Sequence, residues 1–415
     1  MTSPVWHPFT QHALADVPPL IARGEGAWLE TADGRRILDA ISSWWVITHG
    51  HRHPRIMAAI GAQAGQLDQV IFAGFTHQPA EDVARALLAI APRGLAHVFY
   101  SDSGSTAVEV ALKMALGFWR NQNRPRSRIL ALAHAYHGDT IGTMSAGARG
   151  VFNAAYAPLL FEVERLPFPA AGRERETLAA LRRLAPGAAA LIVEPLILGA
   201  GGMLTYGADT LAQMRRICAQ SGTLFIADEV MTGFGRTGTL FACEQARITP
   251  DILCLAKGLT GGALPLAATL CTPEIFDAHY STDRTRTFFH SSSYTANPLA
   301  CAAARANLEI WADEPVRARI TALAHSQEKL LAPFRTDGRF AMIRHLGTIA
   351  ALDLKVSDPG YLAELGPALA RFFLEQGVLL RPLGNTIYVM PPYCITPEEL
   401  DTVYRVIGEA AARFV

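Results

Sequence analysis

The sequence lacks an excess of charge of either sign. Its 415 residues contain 37 Lys and Arg against 37 Asp and Glu, so the formal net charge is zero. A chain without a basic surplus has little electrostatic attraction for phosphate backbones or acidic membrane surfaces, so we expect no nucleic-acid partner and no membrane partner. The expected partners are small molecules.

Long apolar runs are also absent. No uncharged stretch approaches the roughly 20 residues that a membrane-spanning helix needs. The start MTSPVWHPFT lacks the basic and then apolar pattern of a secretory signal. Half of the residues are nevertheless hydrophobic and only 18% are charged, so apolar burial can outweigh chain entropy. We therefore expect a folded, cytoplasmic protein with a large core.

The chain contains no pattern typical of a disulfide framework or a metal centre. Its six cysteines are scattered and never form Cys-x-x-Cys, which predicts reduced core residues. His49, His51 and His53 alternate in a way that could place three imidazoles on one side of a strand. Arg52 and Pro54 indicate a loop instead, and no carboxylate or cysteine partner stands nearby. We therefore expect no metal site.

The middle of the chain alternates short β-rich runs with helix-patterned stretches, which is typical of βαβ units around a mostly parallel sheet. The predicted strands are 97–100, 128–132, 190–193, 224–227, 252–255 and 266–271. After Pro298 the pattern changes to long helices with fewer strands. The sequence thus predicts an α/β protein in which residues 51–297 form a large domain and residues 298–415 a smaller α+β domain. Residues 1–50 are expected to pack on the smaller domain.

Capping residues predict several helix boundaries. Thr106 and Glu109 have the spacing of a capping box for a helix over 106–119. Thr396, followed by a proline and then Glu399, predicts the start of the last helix. The further predicted helices cover 210–220, 299–311, 316–331 and 361–376, and a hairpin is predicted over 26–38.

Two charged side chains follow predicted strands directly. Asp228 ends the run LFIAD and Lys257 follows ILCLA, and ligands of open α/β sheets collect at these carboxyl ends. A lysine in a partly desolvated pocket has a lowered pKa and can attack an aldehyde, while an aspartate can hold a positive charge on a cofactor ring. This pairing predicts Schiff-base chemistry on pyridoxal phosphate. In the simpler alternative, Lys257 extends to solvent and Asp228 caps a helix.

Two further segments support the prediction of Schiff-base chemistry. The turn Ser103-Gly104-Ser105-Thr106 follows one predicted strand and opens a helix, which gives free backbone amides suited to a phosphate. In the segment AYHGD, the aromatic Tyr136 stands close to Gly138, and its ring could stack on a flat cofactor. Each signal alone is typical of ordinary capping or packing.

Together these segments resemble the class III, pyridoxal-phosphate-dependent aminotransferases of fold type I. The motifs that carry the resemblance are DSGSTAVEVALKMA, AYHGDTIGTMS, VEPLILGAGGM, IADEVMTGFGRTG, DILCLAKGLTGG and NPLACAAA, in this order along nearly the whole chain. The resemblance implies pyridoxal 5′-phosphate as cofactor, Lys257 as the Schiff-base residue and Asp228 on the ring nitrogen. It also implies Tyr136 stacked on the ring, with Gly104 and Ser105 at the phosphate.

Further segments resemble one subfamily within the class. The start VWHPFTQ, the pair Trp44-Trp45 and the segment GVLLRPLGNTIYVMPPY imply transfer of an amino group from S-adenosyl-L-methionine to 8-amino-7-oxononanoate in biotin biosynthesis. Such an acceptor needs an apolar wall and a distant cation, roles that Trp44, Trp45 and Arg381 can fill. Where the family often has a tyrosine in its opening motif, this chain has Phe9.

A serine-rich segment implies an assembly. By the same resemblance, Ser291 and Ser292 are expected at the substrate, and Ser293 reaches the cofactor phosphate of a neighbouring subunit. This implies a homodimer with shared active sites. Glu194 and Arg236 lie in family-like motifs, and we expect them to support the site without touching substrate.

Other functions stay open at this point. An ω-amino-acid, ornithine or acetylornithine aminotransferase would use the same core residues, and lysine could replace S-adenosyl-L-methionine as donor. A ligand-binding or regulatory protein of the same fold would have no need of both Asp228 and Lys257.

Overall fold

The computed structural model describes residues 3–415. Its strands are β1 (Ile21–Glu25), β2 (Trp28–Thr31), β3 (Arg36–Asp39), β4 (His97–Ser101), β5 (Ile129–Leu132), β6 (Glu164–Leu166), β7 (Ala190–Val193), β8 (Ile197–Leu198), β9 (Leu204–Thr205), β10 (Leu224–Asp228), β11 (Ile252–Leu255), β12 (Ala267–Cys271), β13 (Phe340–Leu346), β14 (Ile349–Leu354), β15 (Val378–Leu379) and β16 (Thr386–Val389).

The helices alternate with these strands. They are α1 (Ser42–Trp45), a distorted single turn, α2 (Pro54–Ala64), α3 (Gln78–Ile90), α4 (Gly104–Asn121), α5 (Ile141–Ala146), α6 (Glu174–Leu184), α7 (Ala208–Ser221), α8 (Cys243–Ala246), α9 (Pro273–His279), α10 (Pro298–Asp313), α11 (Val316–Leu331), α12 (Leu365–Glu375) and α13 (Pro397–Phe414). Within residues 3–415, no helix combines the length and the apolar character that crossing a membrane requires.

The central sheet has seven strands in the order β4-β12-β11-β10-β7-β5-β6. Strand β12 runs antiparallel to both of its neighbours, and the pairs from β11 to β6 are parallel. Every residue of β5, β7 and β11 is buried, as expected for a sheet covered on both faces by helices. The predicted α/β class with a mostly parallel sheet is confirmed.

The start of α4 differs from the prediction. The helix begins at Gly104, and the capping box consists of Ser103 and Thr106, because the Ser103 hydroxyl accepts from the Thr106 amide while the Thr106 hydroxyl accepts from the Ser103 amide. The prediction of a box from Thr106 and Glu109 is wrong. The carboxylate of Glu109 instead accepts from the Thr140 hydroxyl at 2.6 Å and the Gly142 amide at 2.8 Å.

Three smaller sheets accompany the central one, and one of them is the antiparallel pair of β8 and β9. β1, β2, β3 and β15 form a four-stranded sheet in that order, and β3 runs parallel to β15. Strands β13, β14 and β16 form an antiparallel sheet. The predicted capping box of α13 is confirmed, since the Thr396 hydroxyl accepts from the Glu399 amide and the Glu399 carboxylate accepts from the Thr396 amide. Helix α12 is shorter than predicted and begins at Leu365.

Helix α10 packs against α2 and α3, which precede the central sheet in sequence. Its buried residues Ala303, Ala306 and Ile310 share a core cluster with side chains of β14, β16 and α13. The proposed boundary at residue 297 therefore runs between packed elements. The division into residues 1–50, 51–297 and 298–415 stays a prediction.

Candidate active site

Lys257 and Asp228 line the same cavity, which has a volume of about 400 Å³. Asp228 is the last residue of β10, and Lys257 begins a 3-10 turn two residues after the end of β11. The two strands are parallel neighbours in which Asp228 pairs with Cys254. Both side chains therefore leave the sheet at the same edge, at its carboxyl ends.

The amine of Lys257 occupies an environment that disfavours its charge. Burial lowers the pKa of Lys257 to about 8, although the negative charges of Asp228 and Glu194 oppose this shift. The Nζ atom lies 4.6 Å from the centre of the Trp45 ring. The backbone of Lys257 is left-handed, with φ +45°. At pH values near 8 a large fraction of this amine is neutral and can act as a nucleophile or a base.

The carboxylate of Asp228 is fixed by two neighbours. One oxygen lies 2.6 Å from Nδ1 of His137, and the other accepts from the Val230 amide at 3.1 Å. Burial alone would lower the pKa of His137, but the hydrogen bond and the charge of Asp228 raise it above its usual value. Asp228 and His137 are both buried, and both line the cavity.

No sequence pattern predicted a role for His137. The signal available was its position directly after Tyr136 in the AYHGD segment. Nothing in the sequence revealed the contact itself, because 91 residues separate His137 from its partner Asp228. His137 is thus a further candidate residue of the site, acting through Asp228.

Glu194 holds the walls of the cavity in place. One carboxylate oxygen accepts from the Tyr136 amide and the other from the Gly199 amide, both at 2.9 Å. Burial raises the pKa of Glu194 to about 7. The Tyr136 hydroxyl donates to Asp139 at 2.9 Å, and this leaves the Tyr136 ring lining the cavity.

The N-terminus of α4 faces the same cavity. Gly104 and Ser105 line it, and the first amides of a helix have no partners within the helix. A Cβ on Gly104 would lie 2.5 Å from Cγ1 of Val230, so only glycine fits there. Gly138 has φ +134°, and a Cβ there would collide with the Ser105 hydroxyl. This end of the cavity combines free amides with close backbone packing, which suits a phosphate.

A second cavity of about 370 Å³ adjoins the first, because Trp45, Tyr136 and Lys257 line both. Its walls are mainly aromatic, and its lining includes Phe9, Trp44, Phe152, Tyr361, Arg381 and Tyr388. The guanidinium carbon of Arg381 lies 4.9 Å from the centre of the Trp44 ring. The arrangement can hold a flexible apolar chain near Lys257 with a carboxylate at Arg381.

The segment that carries Trp44 and Trp45 has an unusual backbone conformation. Hydrogen bonds from buried polar groups stabilise it. Ser43 and Trp45 both have positive φ. The Asp39 carboxylate accepts from the Ser43 amide at 2.6 Å and lies 2.8 Å from Nε2 of His51. The buried Arg236 donates to the carbonyl oxygens of Trp45 and Ile47, at 3.3 and 3.0 Å. Arg236 thus supports the wall from behind.

The remaining predicted residues lie apart from both cavities. Ser291, Ser292 and Ser293 line neither of them, and the Ser293 carbonyl accepts from the Gln69 side chain at 2.7 Å. Their predicted roles stay predictions.

The three histidines of the 49–53 segment have separate partners. His49 faces Asn307, His51 faces Asp39 and His53 faces Glu314. They therefore do not converge on one point.

Comparisons with known proteins agree with this geometry. The sequence model of the family "Aminotransferase class-III" matches residues 10–411. An adenosylmethionine-8-amino-7-oxononanoate aminotransferase of Synechococcus elongatus is 49% identical, covering 98% of this chain and 97% of the relative. A Mycobacterium leprae relative with the same name is 38% identical, covering 98% and 94%.

Solved structures give a similar result. The adenosylmethionine-8-amino-7-oxononanoate aminotransferase of Methanocaldococcus jannaschii superposes with a TM-score of 0.95 at 34% identity, covering 99% of this chain and 97% of the other. An amine transaminase from an uncultivated Pseudomonas species, in its PLP-bound form, gives a TM-score of 0.94 at 34% identity, covering 100% and 99%. The predicted fold type I is confirmed by these neighbours.

Proposed function

Because the chain belongs to the class-III aminotransferase family, we propose that it transfers an amino group from S-adenosyl-L-methionine to 8-amino-7-oxononanoate in biotin biosynthesis, with pyridoxal phosphate as cofactor. The observation that carries the proposal is the pair of joined cavities, one holding Lys257 and Asp228 and the other aromatic with an arginine. The relatives that match over nearly their whole length are named for these two substrates, which supports the proposal.

The residues of the first cavity fit pyridoxal phosphate. The amides of Gly104 and Ser105 would hold the phosphate, Asp228 the ring nitrogen and Tyr136 one face of the ring, within reach of the Lys257 amine. A buried carboxyl group that already pairs with His137 suits a ring nitrogen that carries a proton. When bound, the cofactor supplies an electron sink for charge that develops on the substrate carbon.

Asp228 and Lys257 then have separate roles. Asp228, oriented by His137 and the Val230 amide, would keep a proton on the ring nitrogen. Lys257 would hold the cofactor through its aldehyde. The lowered pKa of the Lys257 amine also suits it to carry a proton to and from the reacting carbon of the substrate.

The second cavity supports the choice of substrates. The carboxylate at the far end of the nonanoate chain would reach Arg381 while the aliphatic chain lies against Trp44 and Phe9. The same tryptophan faces could attract the sulfonium of S-adenosyl-L-methionine through a cation–π contact. Both half-reactions would thus use one binding surface, as a ping-pong transamination requires.

We also propose a homodimer with shared active sites, in the cytoplasm. The Gln69 side chain links the 68–75 and 289–297 segments, since it donates to the Ser293 carbonyl and accepts from the Asn297 side-chain amide, and both segments present exposed apolar side chains. These are Ile71, Phe75, Phe289 and Tyr294, each at least 62% exposed. Such a patch favours a protein partner, and the adjacent Ser293 would then reach the site of the second subunit. Sedimentation analysis tests this, and a monomer at micromolar concentration would contradict it.

The decisive experiment for the reaction treats the purified protein with pyridoxal phosphate and borohydride. We expect a covalent adduct on Lys257 by peptide mass analysis, and we expect Lys257→Ala to lose the adduct and at least about a thousandfold in turnover. The exposed Lys355 offers a matched control, since Lys355→Ala should retain both. An adduct elsewhere, or wild-type turnover by Lys257→Ala, overturns the assignment.

The amino donor is identified by measuring the half-reaction of the enzyme with each candidate amine. We expect S-adenosyl-L-methionine to convert the bound cofactor to its aminated form faster than lysine, ornithine or an ω-amino acid does. The similarity to an amine transaminase makes a simple amine the specific rival. Faster conversion by such an amine would favour that second function, and no conversion by any amine would favour a non-catalytic protein.

A further inference from the structure

A buried amide lies under the turn that carries Lys257 and lines neither cavity. Asn307, on helix α10, is completely buried. Its Nδ2 donates to the carbonyl oxygens of Gly258 and Leu259, both at 3.0 Å. These are the two residues that follow Lys257, so one side chain clamps the turn immediately beyond the reactive lysine.

The orientation of this amide is fixed by its surroundings. If the amide were flipped, its oxygen would face two carbonyl oxygens, which cannot donate. The oxygen therefore points the other way, to Nε2 of His49 at 2.8 Å. Burial lowers the pKa of His49 to about 4, so its ring is neutral and donates its one proton from Nε2 to Asn307. His49 thereby holds Asn307 in the orientation that clamps the turn.

The clamp acts where the backbone needs external support. Lys257 has φ +45°, a conformation that residues other than glycine rarely adopt unless surrounding contacts impose it. The turn itself closes with the Gly261 amide donating to Gly258 at 3.1 Å. Gly261 has φ +65°, and a Cβ there would lie 3.3 Å from the Asn307 oxygen. The turn and the amide are thus packed closely against each other.

We propose that Asn307, oriented by His49, is a positioning residue that holds the Lys257 turn and so fixes the direction of its amine. This inference rests on the proposed function, since it assigns a device to the same site. Loss of the clamp lets the turn relax toward a right-handed backbone, which moves Nζ away from both the cofactor aldehyde and the substrate carbon. The effect belongs to the chemical step, because neither Asn307 nor His49 lines the substrate cavity.

The first test compares two buried amides in the holoenzyme. Asn307→Leu removes the clamp at similar volume. Gln327→Met removes another completely buried amide, which donates to the Thr348 carbonyl at 2.6 Å and lines neither cavity. We expect both to lower the unfolding temperature. Only Asn307→Leu should lower kcat, by about 10- to 100-fold with KM unchanged, slow borohydride trapping at Lys257 and shift the pH midpoint of the cofactor's visible absorbance.

A second pair of variants covers the case in which Asn307→Leu does not fold. A glutamine amide can take the place of the His49 Nε2 donor, whereas a methionine cannot. We therefore expect His49→Gln to keep wild-type kcat and trapping, and His49→Met to lose kcat in the same way as the clamp variant. Equal kcat and trapping rates in both pairs would overturn the inference. Absence of any trapping in the wild type would instead overturn the proposed function.

Discussion

The two joined cavities are built in different ways. Lys257, Asp228 and the Gly104 turn come from strand ends and a helix start of the central sheet, and the residues around them are largely buried. The aromatic cavity collects Phe9, Trp44 and other side chains from the N-terminal segment and the C-terminal part, and Trp44 is 40% exposed. Chemistry is thus placed on rigid elements, whereas selectivity depends on segments brought together from both ends of the chain.

The largest expected effect is a loss of kcat in the cavity that holds Lys257 and Asp228, here called the sheet side. Asp228→Asn keeps the shape but removes the charge that would hold the ring nitrogen protonated, so we expect kcat to fall by about 100- to 1,000-fold. Asp251→Asn is the matched control, since Asp251 is a partly buried carboxylate of the same sheet region, paired with Arg215 at 2.8 Å. Steady-state kinetics on both variants check the expectation, and equal losses would mean that Asp228 is only structural.

The sheet side was also the part most open to prediction. Asp228 and Lys257 follow short runs of β-rich apolar residues, and each run forms a strand of the central sheet. Parallel neighbours bring their carboxyl ends together, so strand order alone places the two residues on one cavity. His137 and Asn307 escaped prediction because their contacts join residues 91 and 48 or more positions apart, and no local pattern encodes such pairs.

The aromatic cavity was less predictable in physical terms. Its lining combines Pro8, Trp44, Phe152 and Arg381, which four separate segments supply. Ser43 and Trp45 have positive φ, and Asp39, His51 and Arg236 hold this backbone through tertiary contacts. Only the resemblance to a known family pointed to Trp44, Trp45 and Arg381, since their local sequence is equally typical of a buried core. No sequence signal pointed to Phe152.

A smaller effect is expected on the aromatic side. Arg381→Ala should raise KM for the keto acid by about 10- to 100-fold, because a charge-assisted hydrogen bond to a carboxylate is worth about 1.5–3 kcal/mol. The value of kcat should change little. Arg405→Ala provides a surface control, since Arg405 forms an ion pair with the exposed Glu409. An unchanged KM would remove Arg381 from substrate binding and weaken the contrast between the two cavities.

The pH dependence of cofactor capture should be moderate. Burial lowers the pKa of Lys257 to about 8, so its neutral, nucleophilic fraction rises about tenfold from pH 7 to pH 9. We expect the initial rate at which the cofactor-free protein captures pyridoxal phosphate to rise over this range and then level off. Stopped-flow absorbance measures this rate. A midpoint near the pKa of an ordinary lysine would contradict the desolvated environment of the sheet side.

The smallest effect concerns Phe9, which contacts Trp44 with ring centres 5.6 Å apart and is 43% exposed. Phe9→Tyr restores the hydroxyl that the family often has. One exposed hydrogen bond adds about 0.5 kcal/mol, so we expect KM for the keto acid to fall about twofold with kcat unchanged. Initial rates with varied keto acid measure it. A change in kcat would mean that the aromatic cavity takes part in the chemical step.

The parallel pair of β3 with β15 has a consequence for biosynthesis. Leu38 lies beside Val378 in that pair, so β3 finds this neighbour only after residues up to Leu379 have been translated. The elements from β4 to β12 all precede that point. During translation, the cavity around Lys257 and Asp228 can therefore begin to assemble before the aromatic cavity, which also needs Arg381 and Tyr388.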